Sequence, residues 1–271
     1  GVIGNSNGRG PRRNSLQMLS CRRSKSVPVA VASALPPSYN SGAAGGDNDG
    51  RKEDAALETG YLPLPVVADI LRQISDALSF LHNCFDDGPV IHRDVKPENV
   101  LLVPRPSSSS SPTSSSEDTD SNSAGGEAMY YDVRLADFGS ATTGRTSLRT
   151  PEERSRARDE VLRGTTQMYR APEMVDLHMA QELTERTDVW ALGCTLYLTL
   201  YLRNCFEENS NLAILSGRYT VPSGSGNPYG DASPAVEDVL ARMIDTDPDS
   251  RAGIAEIRDC AEALSEGRDL P

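Results

Sequence analysis

The strongest constraint on this chain is a polar run set between apolar ones. Residues 92–99 read His92-Arg93-Asp94-Val95-Lys96-Pro97-Glu98-Asn99. Upstream, Val67, Ile70, Leu71, Ile74, Ala77, Leu78 and Leu81 recur at three- and four-residue spacing, one face of an amphipathic helix. Pro65 suits the first turn of that helix, where its missing N–H costs nothing. Pro89-Val90-Ile91 just before the run and Val100-Leu101-Leu102-Val103 just after it are short and β-prone. The polar run is therefore predicted as a loop between a helix and a small pair of strands. Further on, Tyr131-Asp132-Val133-Arg134-Leu135 alternates like a strand and leads into Asp137-Phe138-Gly139.

Between these strand patterns lies a tract, 105–128, dominated by Ser, Asp and Glu and including Ser107 to Ser111 and Ser114 to Ser116. Low complexity of this kind predicts disorder. It reads as an insertion in a hairpin loop, tolerated because closure entropy grows only logarithmically with length. Residues 1–60 are rich in Gly, Ser, Pro, Asn and Arg and too poor in apolar residues to offset the entropy of ordering. Within them, Ser15 to Cys21 is the one strand-like stretch. From about Val175 to Leu264 the pattern is mostly helical, with breaks at Tyr219 to Pro222 and at Asp247-Pro248-Asp249. The run from Val189 to Leu202 is apolar on every side but too short to span a bilayer, so it is predicted as a buried core helix and not a transmembrane segment.

Composition excludes several function classes. The 271 residues carry 39 acidic against 27 basic side chains, a net charge of −12, which argues against a nucleic-acid partner. Cys21, Cys84, Cys194, Cys205 and Cys260 are odd in number, scattered and without a C-x-x-C pair. Neither a zinc site nor a disulfide framework follows, and a reducing compartment fits best.

The polar residues point to phosphoryl transfer, which asks a protein for positioning and charge neutralisation more than for covalent chemistry. Asp94 is placed to accept a hydrogen bond from an attacking hydroxyl, and Lys96 to approach the transferring phosphate. Asn99 and Asp137 offer hard oxygens of the kind Mg²⁺ prefers. Gly139 lets the chain turn sharply after the second of them.

From about Pro63 to Leu264 the chain closely resembles the C-terminal lobe of eukaryotic protein kinases. His92 to Leu102 is similar to the catalytic loop and its following strand, and Asp137-Phe138-Gly139 to the metal-binding triplet. Ala171-Pro172-Glu173 resembles the end of the activation segment, Asp188 to Gly193 the start of the long buried helix, and Arg251 the arginine that pairs with Glu173. The resemblance implies ATP and Mg²⁺ as cofactors, with Asp94, Lys96 and Thr166 catalytic and Asn99 and Asp137 holding metal. It also implies that Leu101 floors the adenine pocket, that His92 and Phe138 stack, and that Asp188 bonds the catalytic-loop backbone. Arg93 would bind a phosphate on the activation segment, with Thr143, Thr146, Ser147 and Thr150 as candidate acceptors. Lys96 and Thr166 together favour serine and threonine over tyrosine.

A narrower resemblance is to the numb-associated kinases, which include the adaptor-associated and cyclin-G-associated kinases. It is carried by Ala136 to Thr143, Thr165 to Leu177, Asp188 to Tyr197 and Leu215 to Pro222. Pro97 departs from it, since valine is commoner there in those relatives. This resemblance implies protein substrates among clathrin-adaptor or vesicle-coat proteins and a cytoplasmic location, peripheral at membranes.

The other half of a kinase site is not recognisable in residues 1–91. The glycines from Gly4 to Gly10 have the wrong spacing, and neither Lys25 nor Lys52 sits in an apolar strand. The expected fold is therefore mainly α, the C-lobe of an α+β protein-kinase-like fold over 61–271 with its N-lobe sheet missing. Residues 15–21 would be a hinge remnant. On that expectation the chain alone turns over little ATP. Two functions compete: a serine/threonine kinase, or a catalytically inactive lobe that binds or scaffolds partners.

Overall fold

The computed structural model describes residues 60–83, 85–105 and 130–271. Expectations for residues 1–59, for Cys84 and for the Ser-rich tract beyond Arg105 lie outside the described residues. The elements, in chain order, are α1 (Leu64–Asn83), β1 (Val90–Ile91), β2 (Val100–Pro104), β3 (Tyr131–Leu135), β4 (Thr142–Thr143), β5 (Thr146–Ser147), α2 (Pro151–Gly164), α3 (Pro172–Val175), β6 (Glu182–Leu183), α4 (Arg186–Tyr201), α5 (Asn211–Ser216), α6 (Ser233–Met243) and α7 (Ile254–Glu266).

Helix α4 is the centre of the fold. From Thr187 to Leu196 every residue is buried, polar ones included, so the helix has no solvent face. An apolar sequence without a polar stripe is satisfied only when other elements cover it on all sides. Trp190 is fully buried and stacks on Phe206 at 5.6 Å. Gly193 lets α6 close in: a Cβ there would lie 2.9 Å from both Met243 Cβ and Ile244 Cγ1. Helix α1 lies against α4 and along α7, burying Val67, Ile70, Leu71, Ile74, Leu78 and Leu81, the face that the periodicity predicts.

The strands form separate two-stranded antiparallel ladders, which corrects the simple strand pair expected around the polar run. β1 pairs with β4, β2 with β3, and β5 with β6. The two strands flanking residues 92–99 therefore find their partners downstream. β2 and β3 align Val100 with Leu135 and Pro104 with Tyr131. Arg105 N–H donates to Tyr130 O at 2.8 Å where the ladder meets the segment that joins the strands. At the opposite end Ala136 N–H donates to Asn99 O at 2.8 Å.

Helix α2 has no counterpart in the sequence expectations. Only Ala157 and Val161 are buried along it, so its apolar signal is weak. Its start is nevertheless well specified. Thr150 accepts from Glu153 N–H at 3.2 Å, Glu153 accepts from Thr150 N–H at 3.0 Å, and Pro151 occupies the first turn. That is a capping box, which satisfies two helix-end N–H groups reciprocally.

Candidate active site

The polar run is held from beneath by one buried carboxylate. Asp188, in the first turn of α4, accepts from His92 N–H at 2.8 Å, from Arg93 N–H at 2.7 Å and from His82 Nε2 at 2.9 Å. These contacts hold the loop in a conformation it would not choose alone. Arg93 has φ of 67°, the left-handed region that costs a non-glycine residue on the order of 1 kcal/mol or more. The His82 contact was not legible in the sequence, because it joins α1 to α4 across 106 positions.

His92 is fully buried and faces the second motif. Its Nε2 donates to Ala136 O at 3.1 Å, and its ring meets Phe138 edge-on at 5.0 Å. Asp137 follows, also left-handed at φ 61°, with its Oδ1 accepting from Gly139 N–H at 3.2 Å in the short turn Phe138–Ser140.

Asp94, Lys96 and Thr166 close on one another. Lys96 Nζ lies 2.7 Å from Asp94 Oδ2 and donates to Thr166 Oγ1 at 2.8 Å. The Thr166 hydroxyl donates to Asp94 Oδ1 at 2.9 Å, and its backbone N–H donates to the same oxygen at 3.0 Å. Burial would push the Asp94 carboxyl up. Hydrogen bonds from Lys96 and Thr166, with the Lys96 charge, outweigh burial and hold it below its ordinary 3.8. Asp94 is thus an anion with its lone pairs aimed, not a group poised to hold a proton.

Asn99 is buried in the 3₁₀ turn Pro97–Asn99, and its Nδ2 donates to Asp94 O at 2.8 Å and Asp94 Oδ2 at 3.3 Å. Committing the nitrogen leaves the amide oxygen as the free acceptor. The Ala136-to-Asn99 backbone bond draws this amide and the carboxylate of Asp137 to neighbouring strand ends. One amide oxygen and one carboxylate suit Mg²⁺, which takes few protein ligands and completes its octahedron with phosphate and water. Leu101 is half-buried between the buried Val100 and Leu102, so strand alternation puts it on the face away from the core.

Two further expectations concern residues outside this cluster. Glu173 and Arg251 meet in a two-pronged pair, Nη1 to Oε1 at 2.8 Å and Nη2 to Oε2 at 2.9 Å, with both side chains buried. Arg93, expected to reach a phosphate, sits 3.2 Å from Glu160 Oε2 on α2 and donates from Nε to Ser140 O at 2.7 Å. Sequence reasoning missed Glu160, because its position depends on a helix it did not find.

Comparison with known proteins agrees with this geometry. Residues 48–261 match the protein kinase domain family. The chain belongs to the protein kinase family. The match begins upstream of residue 61, the boundary that composition suggested, so kinase-like sequence extends further toward the N-terminus than expected. The expected loss of the N-lobe concerns residues that lie largely outside the described ones.

Curated relatives of this kinase chain include a probable serine/threonine-protein kinase of Dictyostelium discoideum, 34% identical over 191 residues. Actin-regulating kinase 1 of Saccharomyces cerevisiae is 29% identical over 191 residues, and serine/threonine-protein kinase ppk30 of Schizosaccharomyces pombe is 31% identical over 188. These alignments cover 70%, 70% and 69% of this chain but only 14%, 25% and 16% of the relatives' own lengths. Among the described residues no helix is long and apolar enough to cross a membrane.

Proposed function

We propose that the protein carrying this chain is a serine/threonine kinase that transfers the γ-phosphate of ATP to a protein hydroxyl. The observation that carries the reading is the closed cluster of Asp94, Lys96 and Thr166 beside Asn99 and Asp137. In this reading Asp94 accepts a hydrogen bond from the substrate hydroxyl and turns its oxygen toward the phosphorus. Lys96 offsets charge on the transferring phosphoryl group. Thr166 fixes both side chains and so supplies orientation in advance. Asn99 and Asp137 would hold Mg²⁺, which neutralises nucleotide phosphate charge when bound. Leu101 and its strand would form the floor under the adenine.

The narrower resemblance supports threonine in clathrin-adaptor or vesicle-coat subunits as the substrate, met in the cytoplasm at membrane surfaces. The test is Mg²⁺-dependent transfer of labelled phosphate from ATP to adaptor subunits by the natural full-length protein, against its Asp94→Asn variant. Transfer to threonine that vanishes in the variant is the expected result. No transfer by the wild type would overturn the kinase reading in favour of a lobe that only binds partners. Transfer to generic acceptors but never to adaptor subunits would overturn the substrate assignment alone.

A further inference from the structure

The end of α1 carries an aromatic surface that no described residue covers. Phe80 is 57% exposed and Phe85 39% exposed, and their rings meet edge-on at 5.9 Å. Leu78 and Leu81 on either side of Phe80 are buried, so the helix turns Phe80 to solvent on the stripe it shares with Asp76 and Asn83. Apolar side chains exposed singly need no explanation, whereas a contiguous aromatic pair rimmed by charge is the pattern of an interface. The rim is acidic. Asp86 and Asp87 follow Phe85 directly, both exposed, and neither carboxylate has a hydrogen bond or ion pair among the described residues. Asp76 is exposed too, its carboxylate held by Arg72 at 2.9 Å. Arg145 comes close through Gly144, whose N–H donates to Pro89 O at 2.7 Å, but its guanidinium is taken by Glu182 and Glu185.

The sign of this charge selects the occupant. A second copy of the surface would bring like charges together, and an anionic membrane would be repelled. A segment that joins apolar side chains to several cations fits, and this chain carries one. Leu16, Met18 and Leu19 run into Arg22-Arg23-Ser24-Lys25, within a stretch, 1–25, that has six basic side chains and no acidic one in a chain of net charge −12. The kinase-domain match begins at residue 48, so the stretch expected to be a hinge remnant falls outside it. Distance does not oppose the contact. The patch lies one helix length from the start of α1, about 30 Å for its 20 residues. The 35 positions from Lys25 to Gly60, just before α1, reach roughly 110 Å at full extension.

We propose that the acidic aromatic patch at the end of α1 is a docking site for the chain's own basic segment, residues 16–25. Leu16, Met18 and Leu19 cover the two rings, and Arg22, Arg23 and Lys25 face Asp86 and Asp87. Because both partners belong to one molecule, weak contacts are enough to hold them together. The inference does not depend on the kinase reading, since no residue of the candidate active site takes part.

The experiment treats the natural full-length protein with a carbodiimide, which joins amines to carboxylates in direct contact, and reads the links by mass spectrometry. Lys25, Lys52 and Lys96 are the lysines of this chain, and Lys96 is paired with Asp94, so a link from Lys25 is readily assigned. Mixing isotopically light and heavy protein separates links within a molecule from links between molecules. The expected result is a link from Lys25 to Asp86 or Asp87 within one molecule, with a yield that falls about fivefold between about 0.05 and 0.5 M salt. The yield should fall as far in Phe80→Ser/Phe85→Ser and in Arg22→Gln/Arg23→Gln, with hydrogen exchange of α4 unchanged in both. Should the aromatic variant unfold, the arginine variant, which alters no described residue, decides the matter. Absence of a Lys25 link to either aspartate overturns the proposal. So does a link formed only between light and heavy copies, which makes a second molecule the occupant, or a yield that the arginine variant leaves unchanged.

Discussion

Removing Arg251 should cost this fold more than removing any exposed ion pair. Its side chain is 0% exposed and that of Glu173 is 1% exposed, so neither charge has water to fall back on. The guanidinium also donates to Asp245 O and Arg186 O, each at 2.8 Å, and lies 5.2 Å from the Trp190 ring centre. Arg251→Met leaves the Glu173 carboxylate buried alone, and Glu173→Leu leaves the guanidinium alone. Each should cost about 3–5 kcal/mol. Replacing both removes the stranded charge, leaving chiefly the two lost carbonyl contacts, on the order of 2 kcal/mol. The double variant should therefore be more stable than either single one. Urea unfolding followed by fluorescence measures this directly, since Trp190 is the chain's single tryptophan and packs beside the pair. On heating, each single variant should melt lower by roughly 6–20 °C. A cost below about 1 kcal/mol for Arg251→Met, or a double variant as unstable as the two singles summed, would refute the claim that stranded charge dominates.

Other consequences can be checked site by site. Because the Asp94 carboxyl is held below its ordinary value, its ionised form stabilises the fold above about pH 4, and that contribution is lost as pH falls through the lowered value. Lys96→Met removes the largest lowering influence, so the acid limb of the kcat profile should move to higher pH; an unmoved limb would count against the assignment. Asp94→Asn should reduce turnover by roughly 10²- to 10⁴-fold in a steady-state assay. Thr166→Val keeps the shape but deletes the hydroxyl between Lys96 and Asp94, and should lower kcat about tenfold, whereas Thr166→Ser should retain most activity. Gly193→Ala places a methyl 2.9 Å from Met243 Cβ and should destabilise by about 1–3 kcal/mol in chemical unfolding, with no change in kcat for the folded fraction.

What could be read from sequence alone follows a physical line. Asp94, Lys96, Asn99 and Asp137 were legible because their chemistry is local: side chains a few residues apart on short loops. Helix α4 was legible because it is apolar on every face, and α1 because its apolar positions repeat every turn. Helix α2 escaped because Ala157 and Val161 are its only buried residues, too few to produce a period. The Thr150-Pro151-Glu152-Glu153 cap was the available signal. The pairing of β1 with β4 escaped because two-residue strands carry no register information of their own. His82 and Glu160 were invisible for a third reason. Each matters only through a partner brought near by tertiary packing, and nothing in the neighbouring sequence marks it.

The β2–β3 ladder has a consequence for how such a chain can change over time. One of its ends adjoins Asn99 and Asp137; the other opens onto the segment between Arg105 and Tyr130. Five register pairs separate the two ends. The ladder therefore works as a caliper whose jaws are set by strand pairing and whose handle lies at the far end. Residues can be gained or lost at the handle while the gap between the two oxygen donors stays the same. Sequence drift of almost any length is permitted at that end, roughly 15 Å of strand away from positions where a single methylene would matter.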